Sequence, residues 1–214
     1  MIQERPNIIE TEIADTFQPL YPHTSFTSTN TNLSINPNLV SFDNTKFDRS
    51  LVRGHNRLQL APDDLHCGTW NVEGLTDVKL ICLQQTMKAK GLHFLCIQET
   101  RRSLSDYFIT TEGFLVVLSG NADNKAEYAG VGFIVAPELR SSVVSFCQAS
   151  SRFASMKLRS RGGKIAILSV YAPQSGRSFD ERYAFFQDLL EFWNSILSYS
   201  PKLIFGDLNS RLYY

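Results

Sequence analysis

The chain has 214 residues, 43% hydrophobic and 12% aromatic, enough for a sizeable core in one domain with an extension or in two small domains. Lys+Arg and Asp+Glu both total 21, which excludes a strongly basic nucleic-acid coat but not a local basic face. No run of about 18 apolar residues occurs, so no membrane span is expected. Met1–Leu20 carries Glu4, Glu10, Glu12 and Asp15 without an apolar core, and reads as neither a secretory signal nor a transit peptide. Cys67, Cys82, Cys96 and Cys147 lack C-x-x-C spacing and lie in apolar stretches. They read as reduced core cysteines of an intracellular protein that is not secreted, with neither a disulfide frame nor a zinc site.

Two unlike segments meet near residue 65. In Thr24–Asn38, twelve of fifteen residues are Ser, Thr, Asn or Pro, too polar to offset the entropy of ordering. Residues 1–65 are therefore expected to be a mostly disordered tail, with scattered aromatics such as Phe17, Tyr21 and Phe26 able to dock. Residues 66–214 form the expected domain, with 16 basic and 13 acidic residues, a net +3.

Within that domain the elements alternate. His66–Asn71 reads as a short buried strand. Thr76 caps a helix over Asp77–Lys90, with Val78, Leu80, Ile81, Leu83 and Met87 at helical spacing, and Gly91 closes it. His93–Gln98 (HFLCIQ) is apolar enough to be buried on both faces. Strands are expected at Phe114–Leu118, Gly130–Ala136, Ser142–Phe146 and Phe153–Arg159. The last turns through Arg161-Gly-Gly163 into Lys164–Tyr171 as a hairpin. Ser178 and Glu181 make a capping box for a helix reaching about Leu197. Its apolar residues Phe179, Tyr183, Phe186, Leu190, Trp193 and Leu197 step by 4, 3, 4, 3, 4, the spacing of a helix. After Pro201, Leu203–Phe205 runs as a final strand into Gly206-Asp207. The pattern is mixed α/β.

Four apolar strands end in polar side chains: Trp70-Asn71, Gln98-Glu99, Tyr171-Ala-Pro173 and Gly206-Asp-Leu-Asn209. In α/β sheets the C-terminal edge is where ligands bind. Singly, each has a plain explanation: Asn71, Asp207 and Asn209 as turn residues, Glu99 as a cap, Tyr171 as core with its hydroxyl satisfied. Four such ends in one order need a shared one. Glu99, with the amide oxygen of Asn71, offers the hard oxygen donors that Mg²⁺ accepts. Asp207 can orient or deprotonate a water, and Asn209 and Tyr171 can donate to phosphate oxygens as charge develops. The chemistry expected is metal-assisted hydrolysis of a phosphoester.

These segments, with Gly68-Thr-Trp-Asn-Val-Glu-Gly74, Cys96-Ile-Gln-Glu-Thr100, Gly130-Val-Gly-Phe133 and Val170-Tyr-Ala-Pro173, resemble in order the motifs of the endonuclease/exonuclease/phosphatase superfamily. Within it they look most like the apurinic-endonuclease-like domain of non-LTR retrotransposons and the craniofacial-development-protein-like sequences derived from it. The resemblance covers about His66–Tyr214. It implies a four-layer αββα sandwich of two mixed sheets and Mg²⁺-dependent phosphodiester cleavage in DNA, with Mn²⁺ the alternative ion. It also implies that Asn71 and Glu99 form the metal site, that Tyr171 contacts phosphate, and that Asp207 and Asn209 activate water and stabilise the transition state. Glu73, Arg101 and Arg177 stand where further DNA or phosphate contacts are expected, with a solvated helix-start arginine the plainer reading of Arg177.

The family pattern continues past this point to another aspartate and a Ser-Asp-His motif, and on this reading the chain lacks them. His66 and His93 open the first two strands, away from the expected site. On this reading the sandwich is incomplete, an edge is exposed around Phe133, Ile134 and Phe153–Leu158, and the chain is marginally stable, impaired as an endonuclease and inactive on its own. The alternatives are a gene-model fragment of an active nuclease, or a non-catalytic DNA-binding relic using Arg152, Lys157, Arg159, Arg161 and Lys164. A phosphatase-branch member acting on a phosphorylated small molecule or lipid is the third. A nuclear or cytoplasmic address fits, although no Lys/Arg-rich block marks the nucleus. Oligomeric state is not legible.

Overall fold

The strand HFLCIQ shows why this chain makes layers. Alternate residues point to opposite sides of a sheet. Phe94 and Cys96 enter one apolar cluster and Leu95 and Ile97 another, so both faces must be covered. The structure, a computed structural model, describes residues 60–120, 129–196 and 201–210. The tail segment Thr24–Asn38 and Leu197 lie outside the described residues.

In chain order the described elements are β1 (Cys67–Asn71), α1 (Asp77–Lys90), β2 (Phe94–Gln98), β3 (Asp106–Ile109), β4 (Leu115–Ser119) and β5 (Val131–Val135). Then come α2 (Pro137–Arg140), β6 (Val143–Cys147), β7 (Phe153–Ser160), β8 (Gly163–Tyr171), α3 (Phe179–Ser195) and β9 (Lys202–Asp207). The first sheet has the order β1-β2-β5-β4-β3 and the second β6-β7-β8-β9. Each is mixed: β1 runs parallel to β2 and β8 parallel to β9, and the other pairings are antiparallel.

Three apolar clusters separate four layers. Phe94, Cys96, Val117 and Phe133 of the first sheet share the middle cluster with Ala154, Met156, Leu158 and Ile167 of the second. Outside the first sheet, Leu80, Leu83 and Met87 of α1 cover Leu95, Ile97, Val116 and Ile134. Outside the second, Phe185, Leu189 and Phe192 of α3 cover Phe153, Ala166, Leu168 and Val170. The order is therefore helix, sheet, sheet, helix, as expected for the αββα sandwich.

The helix ends follow local chemistry. Thr76 accepts the Lys79 N–H at 3.2 Å, and Gly91 takes the left-handed conformation at φ 62°. Ser178 accepts the Glu181 N–H at 3.2 Å. Ahead of residue 66, Ala61 is buried in the middle cluster and donates its N–H to the Arg159 carbonyl at 2.7 Å.

Several expectations need correction. The helix expected after Ser178 is present as α3, but its apolar spacing does not mark the buried face: Phe179 is 69% exposed, Tyr183 and Leu190 are exposed too, Phe186 and Trp193 are partly buried, and Phe185, Leu189, Phe192 and Ile196 are the buried residues. The helix carries two apolar stripes, and the aromatic stripe of Phe185 and Phe192 is the one that meets Phe153. In α1, Val78 and Ile81 face outward because the helix rests on Leu80, Leu83 and Met87. β1 is an edge strand with Trp70 exposed, not a buried one. Cys82 is exposed on α1, and of the four free thiols Cys96 alone is fully buried. Phe133, Ile134, Phe153, Met156 and Leu158 are all buried; the half-open edge is β9, where Leu203 and Ile204 are each 37% exposed. Among the described strands β9 ends the second sheet, beside β8. Strand β3 and the short α2 were not expected. No helix among the described residues is long and apolar enough to cross a membrane.

Candidate active site

The two parallel pairs set the site. Asn71 lies beside Gln98 at the end of the β1–β2 ladder, and Tyr171 beside Asp207 at the end of the β8–β9 ladder. Each pair is joined by a crossover helix, so both strands of a pair finish at the same rim. The two sheets face each other across the middle cluster, which brings the two rims together.

There the side chains meet. Asn71 Nδ2 donates to Glu99 Oε1 at 2.8 Å and reaches Asp207 Oδ2 at 3.5 Å, from one sheet to the other. The Tyr171 hydroxyl donates to the same Glu99 oxygen at 3.0 Å. Arg101 Nη2 lies 3.4 Å from Glu99 Oε2. Asp207 Oδ1 accepts the Asn209 N–H at 2.9 Å, and Asn209 Nδ2 donates to the Ala172 carbonyl at 2.7 Å. Asn71 Oδ1 accepts the Glu73 N–H at 3.2 Å. Asn71 and Asp207 thus hold their local turns, as the plain reading required, and also face the cluster.

The backbone at the rim is strained. Glu73, Glu99, Arg101 and Asn209 have φ of 46°, 53°, 54° and 49°, and no other described non-glycine residue has a positive φ. Such conformations cost about 1–3 kcal/mol each and persist where the surroundings impose them. Gly206 is required for a different reason: a Cβ there would lie 1.9 Å from the Val170 carbonyl oxygen. Without a glycine at that position β9 could not run close enough to β8 to set Asp207 beside Tyr171.

Electrostatics distinguish the groups. Burial, then the hydrogen bond and charge of Glu99, push the Tyr171 hydroxyl up to about 12. It therefore stays protonated, a donor, across the neutral range. Arg152 lies over the Tyr171 ring at 5.4 Å, and desolvation lowers the pKa of its half-buried guanidinium. Sequence reasoning had placed Arg152 only in a basic run. That run does not form one face: Arg152 sits at the rim, whereas Arg159 and Lys164 pair at the far end of the hairpin and Arg161 bonds Asp63. Arg177 lies at the start of α3, 3.9 Å from Glu181. His66 and His93 contact each other at the opposite ends of β1 and β2.

The donor set suits a hard ion. Two carboxylates and two amides meet at the rim with no thiol or imidazole, and Asn71 Oδ1 keeps a lone pair beyond its bond to Glu73. Among the described residues no three His, Cys, Asp or Glu cluster as a metal cage. Mg²⁺ needs none, since one or two carboxylates with waters and substrate oxygens suffice.

The family model described as the Endonuclease/Exonuclease/phosphatase family matches residues 68–212, more than half of the chain and every rim residue above. The chain belongs to this family. Among solved structures it is similar to an endonuclease/exonuclease/phosphatase family protein from Leptotrichia buccalis C-1013-b. That likeness has 16% identity and a TM-score of 0.51, and covers 69% of each chain. An AP endonuclease from Archaeoglobus fulgidus gives 22% identity and a TM-score of 0.49 over 68% of this chain. The endonuclease domain of TRAS1, a telomere-specific non-LTR retrotransposon, gives 14% and 0.44 over 67%. This chain spans 58% of the archaeal AP endonuclease and 59% of the TRAS1 domain. No curated protein matches the chain. The family's four-layer architecture is the one found here.

Proposed function

We propose that this chain is an endonuclease/exonuclease/phosphatase-family hydrolase of DNA phosphodiesters, of the retrotransposon-endonuclease type and dependent on Mg²⁺. The observation that carries the reading is the convergence of Asn71, Glu99, Tyr171 and Asp207 from four strand ends of two sheets in one hydrogen-bonded cluster. Strand ends that served only as turns would have no reason to meet.

The roles proposed are those the family resemblance implies, and the hydrogen-bonded cluster supports them. Asn71 and Glu99 would hold the ion, with Mn²⁺ as a substitute for Mg²⁺. Bound there, the ion supplies Lewis acidity and neutralises phosphate charge. Asp207, oriented by the Asn209 N–H, takes the proton from an attacking water. Tyr171, held protonated, donates to a phosphate oxygen as negative charge grows, and Asn209 has a second Nδ2 hydrogen to do the same. Arg101, Arg152 and Arg177 flank the rim and suit a polyanion, with Glu73 beside them. Among the described residues His66 and His93 contact each other away from this rim. The four free cysteines fit an intracellular protein.

Labelled duplex DNA and p-nitrophenyl phosphate, each incubated with the purified chain and Mg²⁺, test the reading. Chain scission that stops with EDTA is expected. Hydrolysis of the small ester with the DNA left intact would move the protein to the phosphatase branch, and DNA binding without scission would make it a relic.

A further inference from the structure

Gln98 is 1% exposed and lies between the sheets, one level below the rim. It is the odd residue of β2, whose other members are all apolar. Both ends of its side-chain amide are hydrogen-bonded. Thr69 Oγ1 donates to Gln98 Oε1 at 3.1 Å, and Gln98 Nε2 donates across the interface to Ser169 Oγ at 3.3 Å. Ser169, itself buried, donates its O–H back to the Ile97 carbonyl at 3.3 Å. Each member is tied to a rim residue by the strand it stands on: Thr69 is two before Asn71, Gln98 one before Glu99, and Ser169 two before Tyr171. Residues two apart on a strand share a face, so Thr69 and Ser169 lie directly beneath Asn71 and Tyr171.

Packing does not explain this seam. The middle cluster around it is apolar, with Phe94, Cys96, Phe133, Met156 and Ile167, and a leucine would fill similar volume without a polar group to satisfy. What a hydrogen-bonded amide adds is direction. Apolar contacts tolerate small slips of one sheet past the other, whereas a bond from Gln98 to Ser169 fixes their spacing at that level.

We infer that Gln98 is a positioning residue. Through Thr69 and Ser169 it sets the separation of the two sheet rims, and with it the distance of Asn71 and Glu99 from Tyr171 and Asp207. This rests on the proposed reading of the rim as an active site. A displacement of about 1 Å at such a site costs about 10²-fold in rate.

Two variants test it from opposite sheets: Gln98→Leu, which removes both bonds, and Ser169→Ala, which removes the cross-sheet partner. Crystal structures of these and of the wild type need no activity to be informative. The expected result is that the Tyr171–Glu99 bond of 3.0 Å opens beyond about 3.5 Å in Gln98→Leu. A retained bond overturns the proposal. In DNA cleavage, kcat falls about 10²-fold while KM stays within about threefold, and adding Ser169→Ala to Gln98→Leu produces no further loss. Loss of thermal stability with kcat unchanged marks a structural role only and also overturns it. If Gln98→Leu does not fold, Ser169→Ala alone carries the same two measurements. An opened rim in a chain whose wild type cuts no DNA would sustain the positioning role and refute the nuclease reading.

Discussion

The two sheets contribute unequal halves of one site. In the first, β2, β4 and β5 are buried along their whole length, and Glu99 follows directly on one of them. In the second, Tyr171 ends the interior strand β8, but Asp207 ends β9, which among the described strands pairs with β8 alone and carries half-exposed Leu203 and Ile204. β9 is pinned elsewhere: Phe205 meets Phe94 edge-on at 5.6 Å, and Lys202 donates to the Trp193 carbonyl at 2.8 Å. Glu99 thus follows a fully buried strand, whereas Asn71 and the carboxylate proposed to activate water both end edge strands, β1 and β9. Chemistry at this rim is expected to be sensitive to anything that loosens β9.

The largest effects should come from the carboxylate on that strand. Asp207→Ala is expected to lower kcat by about 10²–10⁴-fold, the usual contribution of a general base, and steady-state cleavage of labelled duplex checks it. Tyr171→Phe removes one donor and should cost about 10²-fold, again in kcat. The same tyrosine gives a pH test. Its folded pKa of about 12 lies above the ordinary value near 10. A raised folded pKa means that its contribution to stability is full below pH about 10 and is lost as pH rises towards 12. Alkaline titration of tyrosinate absorbance should therefore show one late phase, and that phase should vanish in Tyr171→Phe.

Stability sharpens the contrast between the sheets. Phe133→Ala, deep in the middle layer, should cost about 3–5 kcal/mol in urea unfolding, as large core deletions do. Ile204→Ala, on the half-open edge, should cost about 1 kcal/mol. Equal costs would mean that β9 is covered as well as β5. The open edge also predicts cooperative thermal unfolding below about 50 °C, at the low end of the mesophile range. The smallest effect is expected at Arg177, already near Glu181. Arg177→Ala should weaken DNA binding a few-fold and lower the salt slope by about one.

The strand ends were legible because buried strands announce themselves and their polar terminal residues stand out. Asn71, Glu99, Tyr171, Asp207 and Asn209 all fall at one rim. α1 was legible from Asp77 to Lys90 because Thr76 and Gly91 punctuate it. Strand β3 was not: Asp106–Ile109 is a half-exposed edge whose alternation is too short to read. On α3 the spacing rule found a stripe, but the helix has two, and spacing cannot choose between them. The aromatic ring of Phe153 on β7 chooses, through contacts with Phe185 and Phe192 that sequence distance hides. Gln98 stands out in sequence as a polar residue closing an apolar strand, but its partner Ser169 is 71 residues away and only the packing of the two sheets brings them together. Arg152 was hidden by its neighbours in sequence, since only the hairpin register sets it over Tyr171.

The central claim is that one site is built jointly by the two sheets. Nicking of supercoiled plasmid by the purified chain with Mg²⁺, alongside Glu99→Ala from the first sheet and Asp207→Ala from the second, tests it most directly. EDTA-sensitive nicking that disappears in both variants is expected. Nicking that survives either substitution, or none from wild-type protein shown to be folded, would contradict it.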